Sequence, residues 1–183
     1  MSPSKGSVKE NIEIRFLLTP SAARKLLKTW KKNGWRLEPY SFTDYYFTEG
    51  KSRVKIRRWN SLHLPKVEII FHKRRFGVKT ERSKAAASLE AASKELVLSG
   101  FKPYVKIVKE RAWLVSKKGM PTYALESVPS LGWTGEIEVS LKNRKKIPSF
   151  VKDLKRMGAI RVTRKSMLQL MEEKLEAKRT SAG

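Results

Sequence analysis

The chain has no cysteine. That excludes disulfides and thiolate metal sites. Histidine is almost absent as well: His63 and His72 are too few and too far apart for a zinc site. No stretch approaches the roughly 18 consecutive apolar residues that a membrane-spanning helix needs. The opening Met1-Ser2-Pro3-Ser4-Lys5 lacks the apolar segment of a secretory signal. The expectation is a cytoplasmic protein with no membrane partner. Acids are also scarce, 17 Asp+Glu against 41 Lys+Arg, for a net charge of +24. Such an excess fits a nucleic acid, an anionic membrane surface or an anionic small molecule. Part of it belongs to helices, as at Arg24, Lys25, Lys28, Lys31 and Lys32, and reads as solvated surface.

What the chain does have is enough apolar material to fold. Hydrophobic residues make up 40 % and aromatics 9 %, which sets it apart from disordered chains. The 183 residues predict one domain over residues 10–175, with flexible tails at 1–9 and 176–183.

The charge is also organised. Arg53-Val54-Lys55-Ile56-Arg57 alternates cations with apolar residues, and Glu136-Ile137-Glu138 does the same with acids. A strand sends successive side chains to opposite faces. Each such run therefore has one apolar face and one face charged with a single sign. On the first strand Ile12, Ile14 and Phe16 share one face, and Asn11, Glu13 and Arg15 the other.

Strands are predicted at 11–18, 36–48, 53–59, 66–74, 78–82, 103–116, 120–127 and 136–141. Helices are predicted from Thr19-Pro20 to Asn33, over 85–99, over 148–157 and over 163–178. Loops are expected at Asn60 to Pro65 and Pro129 to Gly135, with a turn at Gly77. Most strands are joined by hairpin-length links, so the sheet is antiparallel. About eight strands with three or four helices read as α+β, with a curved sheet or a closed barrel.

The helices need apolar partners, so the charged strand faces point away from them. Two arrangements satisfy this. One is a sheet with a wet face; the other is a barrel that encloses the charges, as eight strands can. Rows of like charge favour enclosure around a counter-charge. Phosphate oxygens suit Arg and Lys. The candidates are Arg15, Lys55, Arg57, Lys73, Lys79, Lys109 and Arg111, with Arg53 and Lys165. The strand acids Glu13, Glu81, Glu126, Glu136 and Glu138 either neutralise these cations or hold a hard ion, Mg²⁺ or Mn²⁺.

Short motifs in the chain resemble the CYTH domain, or triphosphate tunnel metalloenzyme, superfamily. Asn11-Ile12-Glu13-Ile14-Arg15 stands where that family has Glu-x-Glu-x-Lys. Asp44-Tyr45-Tyr46-Phe47 is similar to its Asp-x-Tyr-Phe, and Val54-Lys55-Ile56-Arg57 to its Leu-Arg-Ile-Arg. Phe71-His72-Lys73 stands for Thr-x-Lys, Lys79-Thr80-Glu81 for Arg-x-Glu, and Lys109-Glu110-Arg111 for Lys-x-Arg. Leu125 to Glu138 resembles Leu-Asp-x-Val-x-x-Leu-Gly-x-Phe-x-Glu-Ile-Glu. Arg164-Lys165-Ser166-Met167 resembles the closing Lys-Ser-Tyr. The resemblance spans about residues 10–171 in the family's order.

The resemblance implies an α+β fold, an eight-stranded antiparallel closed β-barrel (a tunnel) with helices packed on the outside, and a divalent-metal-dependent hydrolase of tripolyphosphate or a nucleoside triphosphate such as ATP. Glu13, Glu126, Glu136 and Glu138 would be the ligands of Mg²⁺ or Mn²⁺. Lys55, Arg57, Lys73, Lys109 and Arg111 would grip the triphosphate, with Arg15, Lys79 and Lys165 as further cationic candidates. Glu13, Arg15 and Lys109 would be the catalytic set. Asn11, Arg15 and Glu126 depart from the family's Glu, Lys and Asp, leaving a site richer in cations and poorer in acids. A weakened polyphosphate- or nucleotide-binding protein and a class IV adenylyl cyclase-like enzyme are therefore carried as alternatives. Nucleic acid binding is a third reading, and a monomer or homodimer is expected.

Overall fold

The computed structural model describes residues 9–60, 67–75, 78–129 and 131–180. His63, most of the loop expected at Asn60 to Pro65 and the turn at Gly77 lie outside the described residues. So does nearly all of the tail expected at 1–9.

Nine strands are described: β1 (Lys9–Leu18), β2 (Arg36–Glu49), β3 (Ser52–Trp59), β4 (Val67–Arg75), β5 (Val78–Ala85), β6 (Lys102–Ser116), β7 (Tyr123–Val128), β8 (Gly132–Ser140) and β9 (Ala159–Thr163). The helices are α1 (Pro20–Lys32), α2 (Leu89–Leu98), α3 (Ile147–Arg156) and α4 (Met167–Thr180). The strand order is β5-β4-β3-β2-β6-β7-β8-β1-β9, with a further β5–β1 pairing that closes β1 to β8 into a ring. The expected α+β architecture is met: a closed eight-stranded antiparallel barrel with helices on its apolar strand faces. One edge of β1 is used twice. Lys9, Glu10 and Asn11 pair with β5, and Arg15 to Leu18 pair with β9.

By its internal contacts the chain divides into two compact units. The first is Met1–Asn11 with Tyr40–Lys109; the second is Ile12–Pro39 with Glu110–Gly183.

The core of the first unit gathers Phe47, Val54, Ile56, Val67 and Ile69 from the strands against Ala92 and Leu96 of α2. The two-residue β2–β3 turn is possible because Gly50 takes φ +53°, the left-handed region in which a side chain is strained. The helix expected over 85–99 begins later. Ala85 is still in the β4–β5 ladder opposite Glu68, and Ser88 Oγ caps α2 by accepting from the Ala91 N–H at 3.0 Å. Ladder pairing overrides the helical propensity of the alanines.

In the second unit, α1 lays Ala23, Leu26 and Trp30 on Ile12, Ile14, Phe16, Leu125 and Ile137. Thr19 Oγ1 accepts from the Ala22 N–H at 3.1 Å to cap it, a contact worth about 1 kcal/mol. Burying each large apolar side chain contributes roughly 1.5–3 kcal/mol. Gly135 is there for space: a Cβ on it would lie 2.0 Å from Cζ of Phe16. The loop predicted at Pro129 to Gly135 is shorter than expected. Its two glycines suggest a loop, yet β8 starts at Gly132 and pairs with Val128.

Three further differences stand out. Leu141–Lys146 is a 3₁₀ turn leading into α3. The segment Ala159–Thr163 is a strand absent from the sequence reading, five residues long and added to the free edge of β1. Helix α4 starts at Met167 instead of Thr163 and runs through Thr180, into the stretch expected to be a tail.

Candidate functional site

Each unit carries its own cluster of buried charge. In the first unit, β2 and β3 pair so that Asp44 faces Arg57 and Tyr46 faces Lys55. Alternation then puts Phe42, Asp44, Lys55, Arg57 and Trp59 on one face, opposite the apolar face that packs on α2. Arg57 grips Asp44 with two bonds: Nε donates to Oδ1 at 2.8 Å and Nη2 to Oδ2 at 2.9 Å. Lys55 Nζ donates to Oδ2 at 3.3 Å. Asp44, Lys55 and Lys109 are all buried. The Arg57 guanidinium lies 3.7 Å from the Phe42 ring centroid and 5.3 Å from that of Trp59. Lys109 Nζ lies 4.4 Å from the same Phe42 ring. Beyond them, Lys79 pairs with Glu81 at 3.1 Å.

The electrostatics follow from this crowding. Burial pushes the Lys55 ammonium down, Arg57 and Lys79 push it further, and Asp44 and Glu81 only partly offset them, leaving a pKa of about 8. Burial alone would raise the Asp44 carboxyl, but Arg57, Lys55 and Lys109 hold it well below the usual carboxylate range. Burial likewise works to raise Glu81, and Lys55 and Lys79 outweigh it and lower its pKa. Lys55, Lys109 and the part-buried Arg57 thus crowd around Asp44. At Lys55, burial and neighbouring cations outweigh Asp44 and Glu81, so the cluster is suited to receiving an anion.

The second unit holds the acids. Glu13 and Arg15 share the face of β1 opposite its apolar residues, and Glu126 and Glu136 come from β7 and β8. Arg15 Nη2 donates to Glu13 Oε1 at 2.6 Å and also to Glu136 Oε2. Its Nη1 lies 3.6 Å from Glu126 Oε2, while Nε donates to nothing among the described residues. Arg15 and Glu13 are 3 % and 4 % exposed and Glu126 is 2 % exposed, so at Glu13 and Arg15 the polar face of β1 is as buried as its apolar face. Burial disfavours the Arg15 charge, but Glu136, then Glu13 and Glu126, outweigh it and raise its pKa above the ordinary value.

The sequence-derived candidates therefore separate. Lys55, Arg57 and Lys109 come together in the first unit with Lys79 close by, whereas Lys73 is exposed on β4. Glu13, Arg15, Glu126 and Glu136 come together in the second. Glu138, further along β8, is exposed, as is Arg111. Lys165 is exposed and pairs with Glu173 of α4. The carboxylates do not fit a divalent ion as they stand: Arg15 occupies their point of convergence. Among the described residues no three His, Cys, Asp or Glu side chains form a metal-ligand group.

Two participants were not among the sequence-derived site residues. Asp44 anchors the cationic cluster; its signal was its place at the head of the Asp44-Tyr45-Tyr46-Phe47 motif. Thr134 sits opposite Glu126 in the β7–β8 ladder, with its hydroxyl buried and without a hydrogen-bond partner among the described residues. Nothing in the local sequence marks it.

The fold is that of the triphosphate tunnel proteins, as the motifs implied. The chain is similar to PH1012 of Pyrococcus horikoshii, with 21 % identity over 88 % of this chain and 99 % of that one and a TM-score of 0.70. It is similar to a Hippeastrum adenylyl cyclase candidate, described as having a dominant triphosphatase activity, with 14 % identity, 90 % and 95 % coverage and a TM-score of 0.61. It is also similar to the mimivirus capping enzyme triphosphatase, with 10 % identity, 81 % and 89 % coverage and a TM-score of 0.55. At these identities the shared property is the fold. No protein-family model and no curated protein matches the chain. Among the described residues no helix is long and apolar enough to cross a membrane.

Proposed function

We propose that this chain binds a triphosphate anion, inorganic tripolyphosphate or the triphosphate of a nucleotide, on the buried Lys55 and Lys109 and the part-buried Arg57. The observation that carries this reading is their convergence on one carboxylate, Asp44. A polyphosphate adds negative charge beside Lys55, whose ammonium burial and neighbouring cations disfavour, and Arg57 and Lys109 offer charge-assisted hydrogen bonds to its oxygens. The test is isothermal titration with tripolyphosphate. Each of Lys55→Met and Lys109→Met removes a charge-assisted contact and is expected to weaken binding by roughly 10-fold or more. Unchanged affinity in both would end the reading.

A second reading adds hydrolysis. It is supported by the triphosphatase activities given for the Hippeastrum and mimivirus proteins of this fold. Lys109 and Arg57 would then stabilise charge on the transferring phosphoryl group. Phosphate release from tripolyphosphate and ATP, with and without Mg²⁺ or Mn²⁺, decides it. Turnover must exceed that of Lys109→Met. Release of pyrophosphate with a cyclic nucleotide would select the cyclase-like alternative instead.

A further inference from the structure

The acidic cluster of the second unit already contains a cation. The motif resemblance assigns Glu13, Glu126, Glu136 and Glu138 to a divalent ion, yet the first three turn toward Arg15, which bonds Glu13 and Glu136 through one nitrogen and approaches Glu126 with another, and Glu138 is exposed. We propose that Arg15 is a built-in counter-cation that takes the place of a metal ion in this cluster, so that the chain takes up its phosphate ligand without a divalent cation. The second half of this proposal rests on the triphosphate reading above; the first half stands without it.

Three physical points carry it. The first is space. Mg²⁺ demands oxygens at about 2.0–2.1 Å in near-octahedral array, and the centre of this array is filled by a planar guanidinium. The second is mobility. Arg15 is not on a loop that can swing clear. It sits within β1, opposite Thr163 of β9, and is 3 % exposed. Vacating the cluster would take the guanidinium through packed protein while three carboxylates pull it back. The third is charge. A dication placed among these carboxylates would sit against a buried guanidinium that cannot lose its proton. A lysine at this position would be a single ammonium with no fork, less able to hold two carboxylates at once. The arginine therefore changes the chemistry of the cluster and does more than conserve its charge.

The experiment is a Mn²⁺ titration of the full chain followed by electron paramagnetic resonance. The wild type is expected to leave the free-ion signal intact through millimolar Mn²⁺, and Arg15→Gln to bind one Mn²⁺. Circular dichroism checks that the variant folds. If it does not, Arg15→Lys, which keeps a positive charge, is expected to bind Mn²⁺ more weakly but measurably. A Mn²⁺ site in the wild type that Glu126→Gln abolishes would overturn the proposal. In a parallel arm, tripolyphosphate affinity in EDTA is expected to match that in Mg²⁺ within about twofold. A loss of about tenfold or more in EDTA would overturn metal-independent uptake. Absence of tripolyphosphate binding under both conditions would overturn the triphosphate reading alone, with the Mn²⁺ arm still deciding the role of Arg15.

Discussion

Arg57 and Asp44 face each other across the β2–β3 ladder and are joined by two parallel hydrogen bonds of 2.8 and 2.9 Å. Asp44 is the anchor for cations that would otherwise repel one another out of water. Asp44→Asn keeps the shape and removes the charge. Breaking a buried pair this way typically costs about 3–5 kcal/mol, read as a fall in the thermal or denaturant midpoint. The same change removes one internal partner of Lys55 and Arg57, so tripolyphosphate affinity is expected to rise. Lower stability with lower affinity would contradict the anchor role.

Lys55 supplies a pH signature. Its folded pKa is about 8 against 10.5 for the free side chain. Below 8 both states carry the proton and the folded state bears the full penalty of the buried charge. Between 8 and 10.5 the unfolded chain binds more protons, so stability rises with pH across that window. Anion affinity runs the other way, falling as Lys55 loses its charge through pH 8. Lys55→Met should flatten both dependences. Titrations of wild type and variant from pH 7 to about 11, a range that spans this shift, check the two signs together.

Gly135 and Phe16 fit because one of them has no side chain. Gly135→Ala places a methyl 2.0 Å from the Phe16 ring, and overpacking of this kind costs about 1–3 kcal/mol. Phe16→Leu should relieve part of that cost, giving a non-additive double-mutant cycle. Additive effects would show that the ring is not what excludes the methyl.

Thr134 carries a buried hydroxyl with no hydrogen-bond partner among the described residues. Thr134→Val keeps the branched shape and removes that group. Most core substitutions destabilise; this one is expected to leave the unfolding midpoint unchanged or raise it, by up to about 1 kcal/mol. A clear loss would reveal a partner for the hydroxyl.

Alternation was the most legible signal. It separated Ile12, Ile14 and Phe16 from Glu13 and Arg15 and placed Lys55 and Arg57 on a common face, because strand parity is a local property that tertiary packing cannot alter. Parity gave direction but not depth. It could not distinguish the buried Lys55 from the exposed Lys73 and Arg111, since burial depends on which strands lie opposite. Strand β9 escaped for a related reason. Five residues ending a helical region carry little pattern of their own, and their pairing is decided by the free edge of β1. The engagement of Glu13, Glu126 and Glu136 by Arg15 was equally hidden. Each residue was named, but only three-dimensional proximity shows that the cation and the acids satisfy one another.

Four of the five tryptophans, Trp30, Trp35, Trp113 and Trp133, belong to the second unit, and Trp59 alone belongs to the first. Trp59 donates its indole N–H to Glu68 at 2.8 Å and lies beside Arg57. Selective excitation of indole therefore gives the protein a native optical reporter. With the other four replaced by phenylalanine, the remaining emission would follow the cationic cluster directly, without any attached dye.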